Sequence, residues 1–308
     1  MNKIKVFVPA SVGNVGPGFD TLGMAVTGIG DTIQAMKNSL GQVRIVQISG
    51  DGGKLPLSAS KNTAGIAATR TLKKMGVKSG IDLWIEKNIP GNGLGSSAAS
   101  AVAGAVAANL LFGAPLSREE LLLIAAEAES FVSGAVFMDN VGASLYGGII
   151  LTRPEEKKVL KVGVLKDITV ILATPDFPLM TKKARQILPD RVEMGKFISN
   201  MSNTCAMVLA VCEKDPGGFG RAISDRIVEP VRASLIPGFH EVKKAALRAG
   251  ALGCSISGAG PTLFAVAERL STGEKIGSAM KRAFKRAGHD SVITLSKVDG
   301  LGARKIGR

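Results

Sequence analysis

Hydrophobic and polar residues alternate along several short segments of the chain, which is the pattern of a half-buried β-strand. The first such segment, residues 3–9, is followed by a loop at 14–18 that contains two glycines and a proline. The same alternation, or a short apolar run, predicts further strands at residues 42–49, 81–85, 144–152, 159–165, 168–173, 262–267 and 290–296.

Apolar positions spaced three and four residues apart predict helices between these strands. One helix begins after Asn62. Another begins at the capping box Ser117-Arg-Glu-Glu120 and is predicted to continue to about residue 132. Further helices are predicted at residues 98–112, 193–213, 238–249 and 272–287.

Strands and helices therefore mix along the whole chain, which predicts an α/β or α+β protein. The chain has 308 residues. That length is enough for two cores, since single cores stop growing near roughly 250–300 residues. After Lys166 an apolar strand restarts the pattern, and we therefore predict two domains, residues 1–165 and residues 166–308.

The cysteine content and the apolar segments bear on where the protein is found. Its three cysteines form no Cys-x-x-Cys pair, which predicts reduced thiols in a cytoplasmic protein. No basic and then apolar leader precedes the first strand, so no signal peptide is expected. Residues 91–117 carry no charge, but they are rich in Ala, Gly and Ser and are interrupted by Gly113 and Pro115. We expect a buried helix there and no membrane span.

A formal net charge of +14 suits an anionic ligand. A polyanion-binding protein is therefore one hypothesis, which predicts nucleic-acid binding with a steep dependence on salt. Lys and Arg are nevertheless spread along the chain, and no aromatic residues are interleaved with them to stack on bases. We expect a basic solvated surface and no nucleic-acid partner.

The stretch PGNGLGSSAAS, residues 90–100, follows the strand predicted at 81–85 and precedes a helix. It has three interpretations. The simplest is a tight turn whose glycines permit close packing. The segment 93–98 also fits the dinucleotide pattern G-x-G-x-x-A, but the acidic residue required about 20 residues later would fall in a loop and helix cap. The third interpretation is a phosphate cradle formed by glycine N–H groups and a helix N-terminus. The pattern favours the cradle, although the Walker sequence is absent.

Two further glycine-rich stretches lie on either side of this loop in the sequence. Val8-Pro-Ala-Ser-Val-Gly-Asn-Val-Gly-Pro-Gly-Phe-Asp20 precedes it and Ser257-Gly-Ala-Gly-Pro-Thr262 follows it. In this order the three stretches resemble the three motifs of the GHMP small-molecule kinases. The central loop has two residues between Pro90 and Gly-Leu-Gly where that family usually has three. The first stretch and Asp139-Asn-Val141 resemble the members of the family that act on homoserine.

The resemblance implies an α+β fold of two domains. The N-terminal domain would contain a left-handed βαβ crossover, and the C-terminal domain would be ferredoxin-like, with the site in the cleft between them. It also implies phosphorylation of the L-homoserine side-chain hydroxyl by ATP, in threonine biosynthesis, with a homodimer as the expected assembly.

ATP would lie on the loop at 90–100, with adenine near Asn62 and Lys87. Magnesium would be held by Ser97 and Glu129. On a helical wheel Glu129 points away from Glu120 and Glu127 onto an apolar face, where a buried salt bridge is the alternative interpretation. The residues expected around ATP are Pro90, Gly91, Asn92, Gly93, Leu94, Gly95, Ser96, Ser97, Ala98, Ala99 and Ser100.

The substrate residues are also implied by the resemblance. Asp20 would pair with the ammonium group, and two arginines would bind the carboxylate. From sequence alone, Arg185 would be taken for part of a solvated helix face. Where related kinases commonly have histidine, two residues before Asp-Asn, this chain has Phe137, which bears on substrate preference. The substrate-binding residues expected from the resemblance are Asn14, Asp20, Asn140, Arg185, Arg232, Ser257, Gly258, Gly260 and Thr262.

The catalytic residues implied are Asn140, Ser97 and Glu129. An amide such as that of Asn140 cannot act as a general base. In-line transfer would then depend on positioning, on magnesium and on backbone dipoles, which suits a loose phosphoryl-transfer transition state.

Overall fold

The computed structural model describes residues 3–133 and 136–307. Within these residues the chain forms two β-sheets with helices packed against them. The strands are β1 Lys3–Gly13, β2 Leu22–Asn38, β3 Val43–Ser49, β4 Gly80–Glu86, β5 Ile149–Arg153, β6 Lys158–Gly163, β7 Thr169–Pro175, β8 Gly253–Ile256, β9 Leu263–Ala267, β10 Ser291–Ser296 and β11 Arg304–Ile306.

The helices lie between these strands, singly or several in succession. They are α1 Thr63–Lys74, α2 Ser96–Leu111, α3 Arg118–Ser133, α4 Asp139–Tyr146, α5 Thr181–Gln186, α6 Met194–Glu213, α7 Pro216–Arg221, α8 Val228–Ala233, α9 Phe239–Arg248 and α10 Leu270–Arg286. The predicted α+β class is confirmed.

The first sheet is mixed and has seven strands, with β2 at its centre. The long antiparallel pair of β1 and β2 is continued by β4 on one side and by β11 on the other. The strands β3 and β4 are parallel and are joined through α1, so they form a βαβ unit. The loop that follows β4 leads directly into α2, and this placement brings the PGNGLGSS stretch to the end of the sheet.

The second sheet is antiparallel, with the strand order β10-β7-β9-β8. Numbered in chain order within this sheet, the strands stand as 4-1-3-2. The helices α9 and α10 pack against it. This is the ferredoxin-like arrangement that was expected of the C-terminal half.

Helix α2 lies in the core, as its lack of charge predicted. Its residues 98–109 are buried, and it packs closely against α1. A Cβ atom on Gly104 would lie 2.1 Å from the carbonyl oxygen of Ala64, so only glycine permits this approach of the two helices. Among the described residues, no helix has the length and apolar content that a membrane crossing requires.

One predicted strand is partly wrong. The prediction began the strand at residue 144, but residues 144–146 are the last turn of α4, and β5 begins at Ile149. Gly147 and Gly148 both have positive φ and separate the helix from the strand. A short apolar run does not reveal whether it is helical or extended, which explains the error. The strands β2, β8 and β11 and the helices α4, α5, α7 and α8 were not predicted.

The predicted domain division near residue 165 falls between β6 and β7, where the chain passes from the first sheet to the second. One apolar core nevertheless contains buried residues from both sides of this point, among them Leu165 and Val170. The chain also returns to the first sheet at its end, because β11 pairs with β1. The division therefore stays a prediction.

Candidate active site

A cavity of about 460 Å³ lies beside the N-terminus of α2. Residues of all three glycine-rich stretches meet at it, together with residues of α3, α4, α5 and α8. The lining residues that the sequence had singled out are Asn14, Asp20, Asn62, Lys87, Gly91, Asn92, Gly93, Gly95, Ser96, Ser97, Ala98, Ser100, Glu129, Phe137, Asn140, Arg185, Arg232 and Gly258.

One wall of the cavity is the loop between β4 and α2. Gly93 and Gly95 have φ of 91° and 67°, a region that side chains other than glycine rarely adopt. A Cβ atom on Gly95 would lie 2.2 Å from Ser11 Oγ, and one on Gly93 would lie 2.3 Å from the carbonyl oxygen of Ser257. The glycines therefore let the loop lie directly against the first and third glycine-rich stretches.

The loop ends in the N-terminus of α2, which borders the cavity. Ser96, Ser97 and Ala98 form the first turn and line the cavity. The N–H groups of a first helical turn have no partner within the helix, and the helix dipole adds partial positive charge at that end. This wall is therefore suited to an anion such as a phosphate.

Lys87 lies behind this wall and supports it through hydrogen bonds to α2. Its ammonium group forms a buried ion pair with Asp31, and it donates to the carbonyl oxygen of Ser96 at 3.1 Å and to Ser100 Oγ at 2.8 Å. Burial lowers the pKa of Lys87, while the Asp31 carboxylate favours its charged form. Lys87 lines the cavity as expected, but its three N–H donors are directed at protein atoms.

Two further sequence-predicted residues border the same end of the cavity. The side chain of Asn62 caps α1, accepting from Ala64 N–H at 3.1 Å, and it donates to the carbonyl oxygen of Pro56 at 3.1 Å. Glu129 reaches the cavity from α3. On the same helix Glu127 pairs with Arg70 instead, so the two carboxylates take the different directions that the helical wheel predicted.

The other end of the cavity carries an ion pair between Asp20 and Arg185. Arg185 donates to Asp20 Oδ2 through both terminal nitrogens, with the NH1 contact at 3.1 Å. Burial and the nearby carboxyl group of Asp139 raise the pKa of Asp20 to about 6, against the opposing effect of Arg185 and Arg232. A carboxyl group and a guanidinium group thus lie side by side at this end of the cavity.

Aromatic rings hold the two arginines in place. The Arg185 guanidinium lies 4.1 Å from the centre of the Phe137 ring and 5.2 Å from that of Phe19. Arg232 lies 5.1 Å from the Phe19 ring and donates to the carbonyl oxygens of Ala184 at 3.2 Å and Gly258 at 2.9 Å. Phe137, which replaces the expected histidine, therefore makes a cation–π contact with Arg185.

A chain of hydrogen bonds positions Asp20. The buried carboxylate of Asp139 accepts from the backbone N–H of Asn14 at 3.1 Å. The Asn14 side chain accepts from Asp20 N–H at 3.1 Å and donates to the carbonyl oxygen of Gly258 at 2.7 Å. Asn14 and Asp20 both have positive φ, which Asn and Asp tolerate better than most residues. Asn14 thus joins the first glycine-rich stretch to the third.

Asn140 lies between the two ends of the cavity. Its Oδ1 accepts from Ser11 Oγ at 2.9 Å, which leaves the amide nitrogen as its donor towards a ligand. Ser11 Oγ lies 3.3 Å from Ser144 Oγ, which donates to the carbonyl oxygen of Pro9 at 3.1 Å. The amide is therefore oriented by hydroxyls from β1 and α4.

Some expected contacts lie outside the cavity lining. Ser257 donates to the carbonyl oxygen of Gly93 at 2.7 Å, so its hydroxyl supports the wall from behind, whereas Thr262 Oγ1 lies 3.0 Å from Thr174 Oγ1 on β7. Gly260 belongs to the same buried turn. In the central loop, the expected residues that do not line the cavity are Pro90, Leu94 and Ala99.

Asp139 and Thr181 also line the cavity, although neither had an expected role from the sequence. Asp139 is fully buried, and burial raises its pKa. Its position inside the quoted Asp-Asn-Val stretch was the available signal. No comparable signal marked Thr181, which begins a short helix.

Among the described residues, no group of three or more His, Cys, Asp or Glu side chains could hold a metal ion by itself. Ser97 and Glu129 both line the cavity on the side of the α2 N-terminus. A hydroxyl and a carboxylate are hard oxygen ligands, and magnesium bound to a nucleotide takes few ligands from the protein. The donor set thus fits a magnesium ion that is shared with phosphates.

Comparison with known families gives two matches in the order of the chain. The GHMP kinases N terminal domain matches residues 62–148, and the GHMP kinases C terminal domain matches residues 207–286.

Individual relatives match over nearly the whole chain. A homoserine kinase of Arabidopsis thaliana is 46% identical over 313 residues, covering 98% of this chain and 84% of the relative. A homoserine kinase of Chlorobaculum tepidum is 40% identical over 320 residues, covering 99% of this chain and 99% of the relative.

Solved structures agree. The crystal structure of homoserine kinase from Cytophaga hutchinsonii is similar with a TM-score of 0.95 and 42% identity, covering 99% of this chain and 98% of that one. Mevalonate kinase of L. major shares the fold, with a TM-score of 0.74 at 17% identity over 96% of each chain.

Proposed function

Because the chain belongs to the GHMP kinase family, we propose that it is an ATP-dependent kinase for the side-chain hydroxyl of L-homoserine. The product would be O-phospho-L-homoserine, an intermediate of threonine biosynthesis. The observation that carries the proposal is a single cavity with a phosphate cradle at one end and an Asp–Arg–Arg cluster at the other.

The cluster suits the zwitterionic end of an amino acid. Asp20 offers a carboxylate for the ammonium group, while Arg185 and Arg232 offer planar donors for the carboxylate. A sugar or a mevalonate would bring no ammonium group to Asp20. The acidic and basic groups at this end of the cavity therefore favour homoserine over the other substrates of the family.

At the opposite end, the N–H groups of the α2 first turn and the loop glycines would bind the phosphates of ATP. Ser97 and Glu129 would hold magnesium, which supplies positive charge beside the β- and γ-phosphates. Lys87 and Asp31 would keep the cradle in shape, and Asn62 would border the nucleotide.

Transfer would need no carboxylate base. The amide nitrogen of Asn140 would donate to the homoserine hydroxyl and orient a lone pair towards the γ-phosphorus. The O–P bond forms as the bond to the bridging oxygen breaks, and the hydroxyl proton leaves to the transferred phosphoryl group. A loose transition state requires little activation of the nucleophile.

The nearby carboxyl group of Asp139 allows a direct test of this mechanism. Asp139→Asn keeps an acceptor for Asn14 N–H, so we expect kcat to fall by no more than about tenfold. A loss of about a thousandfold or more, with homoserine binding intact by calorimetry, would identify Asp139 as a general base and refute the base-free step.

The activity is tested by a panel of acceptors. ADP release should depend on magnesium and should be fast with L-homoserine and slow with mevalonate, galactose and shikimate. A higher kcat/KM with mevalonate or galactose would refute the substrate while leaving the family intact.

The remaining expectations are a cytoplasmic location, a homodimer and no nucleic-acid or membrane partner. The three cysteines are free in the structure, with Cys205 and Cys212 exposed and Cys254 buried, which supports a reducing compartment. A gel-shift titration at physiological salt should show no complex with DNA or RNA.

A further inference from the structure

A second cavity, of about 170 Å³, lies on the outer face of the first sheet, where side chains of β1, β2, β3 and β4 that point away from the core meet. The half-buried indole of Trp84 on β4 lies between Gln34 on β2 and Gln47 on β3, its direct neighbours across the strands. We call this the outer cavity. Around Trp84 it is lined by six polar side chains: Lys5, Thr32, Gln34, Gln47, Ser49 and Glu86.

The polar side chains of the outer cavity have hydrogen-bonding capacity that the protein does not use. Thr32 is only 8% exposed, yet within residues 3–133 and 136–307 its hydroxyl has no hydrogen-bond partner. In the same part of the chain, the side-chain amides of Gln34 and Gln47 and the Ser49 hydroxyl also have no partner. A buried polar group without a partner is costly, so the cavity must supply one for Thr32, either water or a ligand.

A β-bulge in β3 brings Gln47 to this face of the sheet. Ile45 lies opposite Leu83 on β4. The next residue of β4, Trp84, lies opposite Gln47, which leaves Val46 as an extra residue. Ile45 is buried, and side chains two positions apart in a regular strand share one face, so without the bulge Gln47 would point into the core. Bulges often redirect a side chain next to a functional site, and this one completes the outer cavity.

Charge and size limit what the outer cavity can bind. Its cation and its anion, Lys5 Nζ and Glu86 Oε2, lie 4.0 Å apart and offset each other, although the whole chain has a net charge of +14. The cavity therefore does not favour a phosphate or another anion. Its volume is below the roughly 300–1,000 Å³ of sites for drug-sized ligands, so one small ring suits it better.

We propose that the outer cavity is a second ligand site and that it takes a small neutral molecule rich in hydroxyl groups, such as a monosaccharide. Each hydroxyl of such a ligand can both donate and accept, as the amides of Gln34 and Gln47 and the hydroxyls of Thr32 and Ser49 can. The indole of Trp84 offers an apolar surface to the C–H groups of a sugar ring. A ligand with few polar atoms would leave the unpaired side chains without partners.

The outer cavity is separate from the candidate active site. Thr32 and Glu86 line it, whereas their neighbours in the chain, Asp31 and Lys87, form the buried ion pair behind the first turn of α2. Successive side chains along a strand point to opposite faces, so the outer cavity lies on the face of the sheet away from α2. The inference does not depend on the proposed kinase activity, and its failure would leave that proposal unchanged.

Fluorescence of Trp84 tests the site, because Trp84 is the only tryptophan of the chain and lines the outer cavity. Titration with D-glucose, D-galactose and D-fructose should change its emission in a saturable way for at least one sugar. Half-saturation should fall in the millimolar range, as expected of a ligand this small. Inorganic phosphate and glycine, which are ionic, should leave the emission unchanged.

Two glutamine variants locate the binding. Gln34→Ala and Gln47→Ala should each raise the dissociation constant of the sugar about three- to tenfold, because each removes hydrogen bonds and leaves Trp84 in place. Gln42→Ala is the matched control, since Gln42 is exposed just before β3, lies outside the cavity lining and should not affect sugar binding. Circular dichroism and thermal melting confirm that each variant folds.

Three results would overturn the inference. One is the absence of a saturable change in emission with any of the three sugars. Another is wild-type affinity for the sugar in both Gln34→Ala and Gln47→Ala, which would place the sugar elsewhere. The third is a saturable change with phosphate or glycine at the concentrations that the tightest sugar requires, which would show that the cavity selects ions.

Discussion

At the scale of single residues, the ionisation of Asp20 sets the chemistry of the amino-acid end of the cavity. Burial and the neighbouring Asp139 disfavour its charge, while Arg185 and Arg232 favour it, and the first two effects prevail. The pKa of about 6 places the titration of this carboxyl group within reach of ordinary binding experiments.

Homoserine binding should weaken as the pH falls. Because the folded-state pKa of Asp20 is raised to about 6, the carboxylate is present above that pH and becomes protonated below it, losing its attraction for an ammonium group. Calorimetry without nucleotide should show affinity falling towards tenfold per unit below pH 6. Asp20→Asn should bind weakly with no such step. A flat wild-type profile down to pH 5 would contradict the assigned role.

Phe137 should act through Arg185. Phe137→Leu removes a cation–π contact worth about 0.5–2 kcal/mol, so KM for homoserine should rise by about two- to thirtyfold with a smaller change in kcat. Phe137→Trp should preserve the wild-type KM. Steady-state kinetics compares both with Phe131→Leu, a control at an exposed phenylalanine on α3. A KM equal to wild type in Phe137→Leu would show that the stacking has no influence on the substrate.

At the scale of elements, the junction between β4 and α2 links the two ends of the cavity. Gly95 is the N-cap of α2, and its missing side chain leaves room for Ser11 and for the Asn140 amide. The same position thus fixes the start of α2, whose first turn lines the cavity, and the orientation of the amide.

Gly95→Ala should therefore impair both functions. Its Cβ atom would meet Ser11 Oγ at 2.2 Å and Asn140 Oδ1 at 2.9 Å, so the loop must move. We expect kcat/KM to fall by about a hundredfold or more. Gly113→Ala is the matched control, because Gly113 also has positive φ but has no atom within 4 Å of its Cβ position. Similar losses in the two variants would attribute the effect to backbone strain alone.

Elements and residues whose signals are local could be predicted from the sequence. The loop at 90–100, the helix start after Asn62 and the capping box at Ser117 each depend on residues a few positions apart, and the structure contains all three. The bond from Asn14 to Asp139 joins residues 125 positions apart, and the stack of Arg185 on Phe137 joins different segments. Such contacts follow from how distant segments of the chain pack together, which no local pattern specifies.

At the scale of the whole molecule, the end of the chain returns to the first sheet and adds a strand at its edge. After leaving the second sheet it passes beside β2 and α4, and β11 pairs with β1. The buried carboxylate of Asp299 organises this return, accepting from the N–H groups of Leu301 and Gly302 and from Arg304.

Arg304→Ala should lower stability without altering substrate recognition. It leaves the Asp299 carboxylate buried without its cation and removes the guanidinium from the Phe7 ring, 4.6 Å away. The expected loss is about 1–3 kcal/mol, or a few degrees in Tm. Calorimetric melting should show this drop, and Lys275→Ala, at an exposed lysine, should show almost none. An unchanged Tm would mean that Arg304 contributes nothing to the stability of the folded chain.

In the proposed binding mode, the ion pair of Asp20 and Arg185 would make recognition of the two ends of homoserine cooperative. A zwitterion can separate the pair and give each residue a new partner, exchanging one internal pair for two. γ-Hydroxybutyrate would take Arg185 and leave Asp20 without its cation, and aminopropanol would do the reverse. Each analogue thus loses its own missing contact and also breaks the internal pair without replacing it. Selectivity for an intact amino acid should exceed the product of what its two charged groups contribute separately.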